Sequence, residues 1–223
     1  MAIADLFSTT VITEIIALIC SIIFLRNCRE RYWHFFTLYL ALVIAGEMLG
    51  GYLHAIGSFN YPVYNLLMIV QSLFFAFLFY KAFHQNRTRI RIMAASIFFL
   101  LCFIAEATLT AYQKHNMMLV NNYNGYSRML LSVLITLGCC MYFFTIIKED
   151  IIRNPLDSPH FWIIIGLFFF YFGSLPMFAF SKIISEIKLS GNVSFYRLIM
   201  NTLSFILYGS WIIAFICRTK QRS

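Results

Sequence analysis

Three carboxylates stand where an apolar chain tolerates them least. Glu14, Glu47 and Glu106 each interrupt a long hydrophobic run. A charge near the middle of a bilayer costs a few kcal/mol even on lenient insertion scales, so such groups turn toward the protein interior. Helical spacing groups them with other polar residues. Glu47, Gly51 and His54 fall at i, i+4 and i+7, which puts an acid and an imidazole on one face two turns apart. Arg197, Asn201, Ser204 and Tyr208 fall at i, i+4, i+7 and i+11, a polar stripe along an otherwise apolar segment. Glu106 shares a face with Thr110, and Asn65 with Ser72. Polar stripes facing lipid are costly, so these faces should converge. The expected result is a polar pocket in the outer half of a bundle, lined by Glu14, Glu47, His54, Gln71, Glu106, Arg128, Arg197 and Asn201, with Tyr208 extending it inward. Glu47, Glu106 and Arg197 are the expected contacts to a ligand or proton. The same acids and bases could instead pair and fix helix register with no ligand at all.

Catalytic chemistry is harder to assemble. Asp5, Asp150 and Asp157 lie at segment ends or in loops, so no span carries the aspartates of an intramembrane aspartyl protease or a two-aspartate ether-lipid hydrolase. His34, His54, His84, His115 and His160 form no HxxxH or HExxH pair to hold zinc. No GxSxG elbow is present, and the last apolar segment has no lysine for a retinal Schiff base. No enzyme, metal or cofactor is expected. The cysteines at 20, 28, 102, 139, 140 and 217 have no CxxC spacing and read as buried thiols, with Cys28 and Cys217 at an inner rim where acylation is chemically feasible. Asn192-Val193-Ser194 has the form of a glycan acceptor.

The elements that must position these groups are membrane helices. The chain is 61% hydrophobic and 12% charged, with a mean hydropathy of +0.78, whereas soluble chains run at roughly 45–50% apolar and about 25% charged. That balance excludes a soluble enzyme, a nucleic-acid reader and a disordered linker. A spanning helix needs roughly 20 apolar residues, and seven runs qualify: Leu6–Leu25, Phe35–Ile56, Val63–Phe83, Ile92–Tyr112, Tyr126–Ile147, Phe161–Ile184 and Val193–Cys217. The expected fold is all-α, a polytopic membrane protein forming one seven-helix domain over residues 1–223. With the N-terminus outside and the C-terminus cytoplasmic, twelve of the seventeen Lys and Arg fall on the inner side, as the positive-inside bias requires. Lys114, Arg128, Lys182, Lys188 and Arg197 are left outside, Lys182 snorkelling toward headgroups. The net charge of +8 is then a basic inner rim facing anionic lipid, with no call for nucleic acid. Residues 1–5 lack a basic n-region and Glu14 breaks the apolar run, so the first segment reads as a retained span and not a signal peptide. No soluble domain fits, so function would reside in the bilayer or pass to a partner protein at the cytoplasmic loops.

Seven spans invite a 3+1+3 comparison. Placing Asn60 on Asn192 also aligns Tyr64 with Tyr196, Leu66 with Leu198, Met68 with Met200 and Ser72 with Ser204, as a parallel repeat would. Gly46 and Gly50 form a GxxxG pair suited to close helix approach, and Pro176 should kink the sixth helix. The arrangement resembles that of the sugar-efflux (SWEET) transporters, although helices one, two and five here carry none of the prolines that mark those repeats. A second resemblance rests on Phe59-Asn-Tyr-Pro-Val-Tyr-Asn65, on Ser158-Pro-His-Phe-Trp162 with Gly166 and Tyr171-Phe-Gly173, and on Asn201-Thr-Leu-Ser-Phe-Ile-Leu-Tyr208. In these segments the chain is similar to a group of small, largely uncharacterised seven-helix inner-membrane proteins of Bacteroidetes-type bacteria, akin to the membrane-sensing halves of histidine kinases. That resemblance implies a bacterial inner membrane and a sensory or accessory role. The sequence thus leads to a receptor-like or accessory membrane protein that binds a small ligand or partner helix. A small-solute transporter and a purely structural subunit are the alternatives.

Overall fold

Inside hydrocarbon every backbone N–H and C=O must find its partner within the protein, and a continuous apolar segment achieves that alone only as a helix. The computed structural model describes residues 9–26, 28, 30–83, 85–113, 124–149, 155–180 and 195–221. The expectations for Asp5, Arg29, His84, Lys114, His115, Asp150, Arg153, Lys182, Lys188, Arg222 and the triplet Asn192-Val193-Ser194 lie outside these residues. Among the described residues the order is α1 (Thr9–Leu25), α2 (Arg31–Ala55), α3 (Tyr61–Ala82), α4 (Asn86–Gln113), α5 (Gly125–Glu149), a 3-10 turn (Pro155–Asp157), α6 (Pro159–Ala179) and α7 (Phe195–Lys220). Of the seven α-helices among the described residues, six, α2 to α7, are long and apolar enough to cross a membrane. The described part of α1 has 17 residues, and residues 6–8 of the expected first span lie outside the described set. The protein is an all-α integral membrane protein.

Helix ends follow local chemistry. Gly57, with φ of +72°, closes α2. Ser58 N–H donates to Leu53 O at 2.9 Å and Gly57 N–H to His54 O at 3.1 Å, the paired bonds of a Schellman end that glycine enters without steric cost. Pro62 and Pro159 occupy the first turns of α3 and α6, where no N–H is missed. Past Pro176 the α6 helix runs on to Ala179, and Phe180 N–H donates to Pro176 O at 3.0 Å.

The chain divides into two compact units. The described residues of the first lie in Val43–Leu134, and those of the second in Phe7–Leu42 and Ile135–Ser223. In the first, α3 packs along α4. The expected GxxxG face is used there: a methyl added at Gly46 would lie 2.6 Å from Leu67 of α3, and one at Gly50 would lie 2.9 Å from the Tyr64 ring. In the second, α7 packs against α6 and α1. Gly166 and Gly173 of α6 seat Ser210 and Leu203 of α7, and a methyl on Gly166 would collide with Ser210 Oγ. Aromatic rings fill this unit. Trp33, Phe36, Trp211 and Phe215 are wholly buried, and Phe36 meets Trp211 and Phe215 edge-on at 5.6 and 6.0 Å.

Candidate functional site

In the unit of residues 43–134, four helices bring polar groups to one cluster. Glu106, on α4, caps α5. Its Oε1 accepts the Tyr126 N–H at 3.1 Å, while Oε2 accepts the Ser127 N–H at 2.7 Å and the Ser127 hydroxyl. The first amides of a helix have no intrahelical acceptor and carry partial positive charge, so a carboxylate is their natural partner. Asn65 of α3 adds a further acceptor, its Oδ1 taking the Asn124 N–H at 3.3 Å. Beside this cap, Arg128 Nη1 donates to Gln71 Oε1 at 3.0 Å.

Glu47 is held differently. The half-buried carboxylate takes one long contact, 3.5 Å from the Tyr64 hydroxyl to Oε2. Its Oε1 accepts no hydrogen bond among the described residues, and the positive charge of Arg128 is near enough to act on it. Glu106 is engaged by three donors, whereas Glu47 keeps acceptor capacity within electrostatic reach of Arg128, with no direct ion pair to it among the described residues. A pair of this kind can take a ligand that offers a donor to one group and an acceptor to the other.

The second unit holds a separate buried pair. Glu14 of α1 is 5% exposed, and Tyr208 of α7 donates its hydroxyl to Glu14 Oε1 at 2.9 Å. From there an aromatic column runs along α7 and α2. Tyr208 meets Trp211 at 5.8 Å, Trp211 meets Phe36, and Phe36 stacks on Trp33 at 5.5 Å. Arg218 lies 5.5 Å over the Trp33 ring and pairs with Glu30 at 2.7 Å, and Trp33 Nε1 donates to the same Glu30 at 3.2 Å.

The structure therefore links Glu47 with Tyr64, Gln71 with Arg128, Glu106 with the start of α5, and Glu14 with Tyr208. His54 and Arg197 are exposed and Asn201 is half-buried, and none of these three has a side-chain hydrogen bond among the described residues. Sequence reasoning gave no site role to Tyr64, Ser127 or Asn124, nor to the Glu30–Trp33–Arg218 group. Ser127 had a readable signal, since a serine in the first turn of a helix sits among unpaired donors. Glu30 and Trp33 stand three residues apart, but Arg218 reaches them only through the fold. No group of three or more His, Cys, Asp or Glu among the described residues is placed to hold a metal ion. Compared with known proteins, the chain matches no family model, no curated protein and no solved structure.

Proposed function

We propose that the protein is a non-catalytic, receptor-like or accessory membrane subunit that binds a small polar ligand at Glu47 and Arg128 and passes its state to a partner protein at its cytoplasmic loops. The observation that carries this reading is the contrast between two intramembrane acids. Glu106 spends its acceptors on a helix end, while Glu47 retains one within electrostatic reach of the Arg128 guanidinium. A carboxylate serving only to hold helices together would spend its acceptors on direct bonds, as Glu106 does. The ligand that fits presents a donor or cation to Glu47 and an acceptor to Arg128. Gln71 and Glu106, in the same unit, then act as supports, with His54 a further polar group on α2.

The setting we infer has α1 as a seventh span, the N-terminus outside, the C-terminus cytoplasmic, and a 3+1+3 arrangement of α1–α3 and α5–α7 about α4. The resemblance of helices three, six and seven to Bacteroidetes-type proteins supports a bacterial inner membrane. The decisive experiment is native mass spectrometry of the protein released gently from its own membrane. A reproducible small-molecule mass on the 26.0 kDa chain, lost in Glu47→Gln and Arg128→Gln, is expected. A second protein retained in every variant, with no small molecule, would make the charges structural. Solute flux in liposomes containing this protein alone would replace the receptor reading with transport.

A further inference from the structure

We propose that the turn between α3 and α4 binds the phosphate of an anionic phospholipid through Arg87 and Arg91. Only residues 83–85 separate the two helices, and the apolar helices on either side, Tyr61–Ala82 and Asn86–Thr110, are each long enough to cross a membrane. The turn between them therefore sits at a membrane surface. It is crowded with cations: Lys81, Arg87, Arg89 and Arg91. The sequence has no Asp or Glu between Glu47 and Glu106, and among the described residues none of the four pairs with a carboxylate.

Two of the four have a structural role at the end of α3. Arg89 Nε–H is shared between Phe83 O at 2.7 Å and Tyr80 O at 3.1 Å, and its guanidinium lies 4.9 Å over the Tyr80 ring. It thus covers the carbonyl end of α3, where partial negative charge gathers. Lys81, in the last turn of the same helix, lies 5.9 Å over Phe77. Arg87 and Arg91 have no such role. Both are exposed, and at i and i+4 they share one face, where like charges repel. They also stand at the positive end of the α4 dipole, and its first turn contains no acid. An anion between them relieves both penalties, and guanidinium groups match phosphate with paired donors.

The rest of that face indicates which phosphate. Below Arg87 and Arg91, the same side of α4 continues through Ala94, Phe98 and Leu101, all exposed and apolar. Charged head above, apolar track below: this is the outline of a lipid. The site is independent of the ligand proposed at Glu47.

The test uses the full-length protein with mixed phosphatidylglycerol and phosphatidylcholine, read by native mass spectrometry. Wild type should retain phosphatidylglycerol in preference to phosphatidylcholine. The double variant Arg87→Gln/Arg91→Gln should retain at least about tenfold less, since each surface cation contributes roughly 1 kcal/mol of attraction to an anionic leaflet. Arg26→Gln/Lys148→Gln, which removes as much charge elsewhere, should leave retention unchanged. Equal retention by the Arg87/Arg91 variant, an equal loss in the control variant, or no preference over phosphatidylcholine would each overturn the proposal. Inorganic phosphate that protects lipid-free protein from heat as well as phosphatidylglycerol does would assign the turn to a free anion, and would also overturn it.

Discussion

Glu106 and Glu47 differ in no chemical property, yet their neighbours give them opposite capacities. A carboxylate with three donors is committed. Glu106→Gln leaves one carbonyl oxygen for those donors, so we expect faster hydrogen exchange at the Tyr126 and Ser127 amides and a loss of about 1 kcal/mol, the usual worth of a helix cap. Glu47→Gln should leave those amides unchanged, because Glu47 touches neither. Tyr208→Phe removes the hydroxyl from buried Glu14 while keeping the ring against Trp211. Interhelical bonds in membranes average about 0.6 kcal/mol, and bonds to charged groups about 1.5–3 in water-soluble proteins, so a cost near 1 kcal/mol is expected in a reversible unfolding titration. Unfolding at wild-type denaturant concentration would show that the bond adds nothing. Much of this chemistry was legible, since Glu14, Glu47, Gln71, Glu106 and Arg128 stand out by type in an apolar sequence. Which of them are satisfied was not legible, because Tyr64, Ser127 and Tyr208 reach them from other helices at distances that no local pattern encodes.

Helix identity was read from hydropathy and helix ends were not, for a physical reason. The apolar run of the fourth segment begins at Ile92, but α4 begins at Asn86; α2 begins at Arg31 and α7 continues to Lys220. Arg and Lys are good helix formers, so a helix extends past the hydrocarbon boundary that stops the apolar count. Glycine contacts show the same divide. The GxxxG pair at Gly46 and Gly50 announced itself, whereas Gly166 and Gly173 stand seven apart and gave no helix-packing motif. Gly166→Ala should nevertheless be the costlier change. Its methyl meets Ser210 Oγ and, at 3.2 Å, the backbone oxygen of Leu207, whereas at Gly46 its three nearest neighbours are all side-chain atoms of Leu67. Overpacking of this kind costs about 1–3 kcal/mol. Gly166→Ala/Ser210→Ala should recover part of that loss in thermal unfolding, and an unimproved double variant would place the strain on the backbone contact.

For the molecule as a whole, charge and apolar length made the class readable: α-helical and embedded in a membrane. The orientation we propose rests on the uneven placement of Lys and Arg. A reporter active only in the cytoplasm, fused after Ser223, should be active, and the same reporter placed before Met1 should be silent; the reverse pair of results would invert the topology. The division into two compact units was not foreseen, because hydropathy ranks segments singly and is blind to which of them pack together.

The cap that Glu106 places on α5 bears on how the chain enters its membrane during synthesis. Released into lipid one at a time, α4 would carry a bare carboxylate and α5 a set of unanswered amides, both unfavourable in that solvent. Released together as a hairpin, each cancels the other's penalty. The translocon should therefore retain α4 until α5 has emerged: a stalled nascent chain whose part outside the ribosome ends before Tyr126 should remain crosslinked to the channel through α4, while one exposed past Ile147 should leave it.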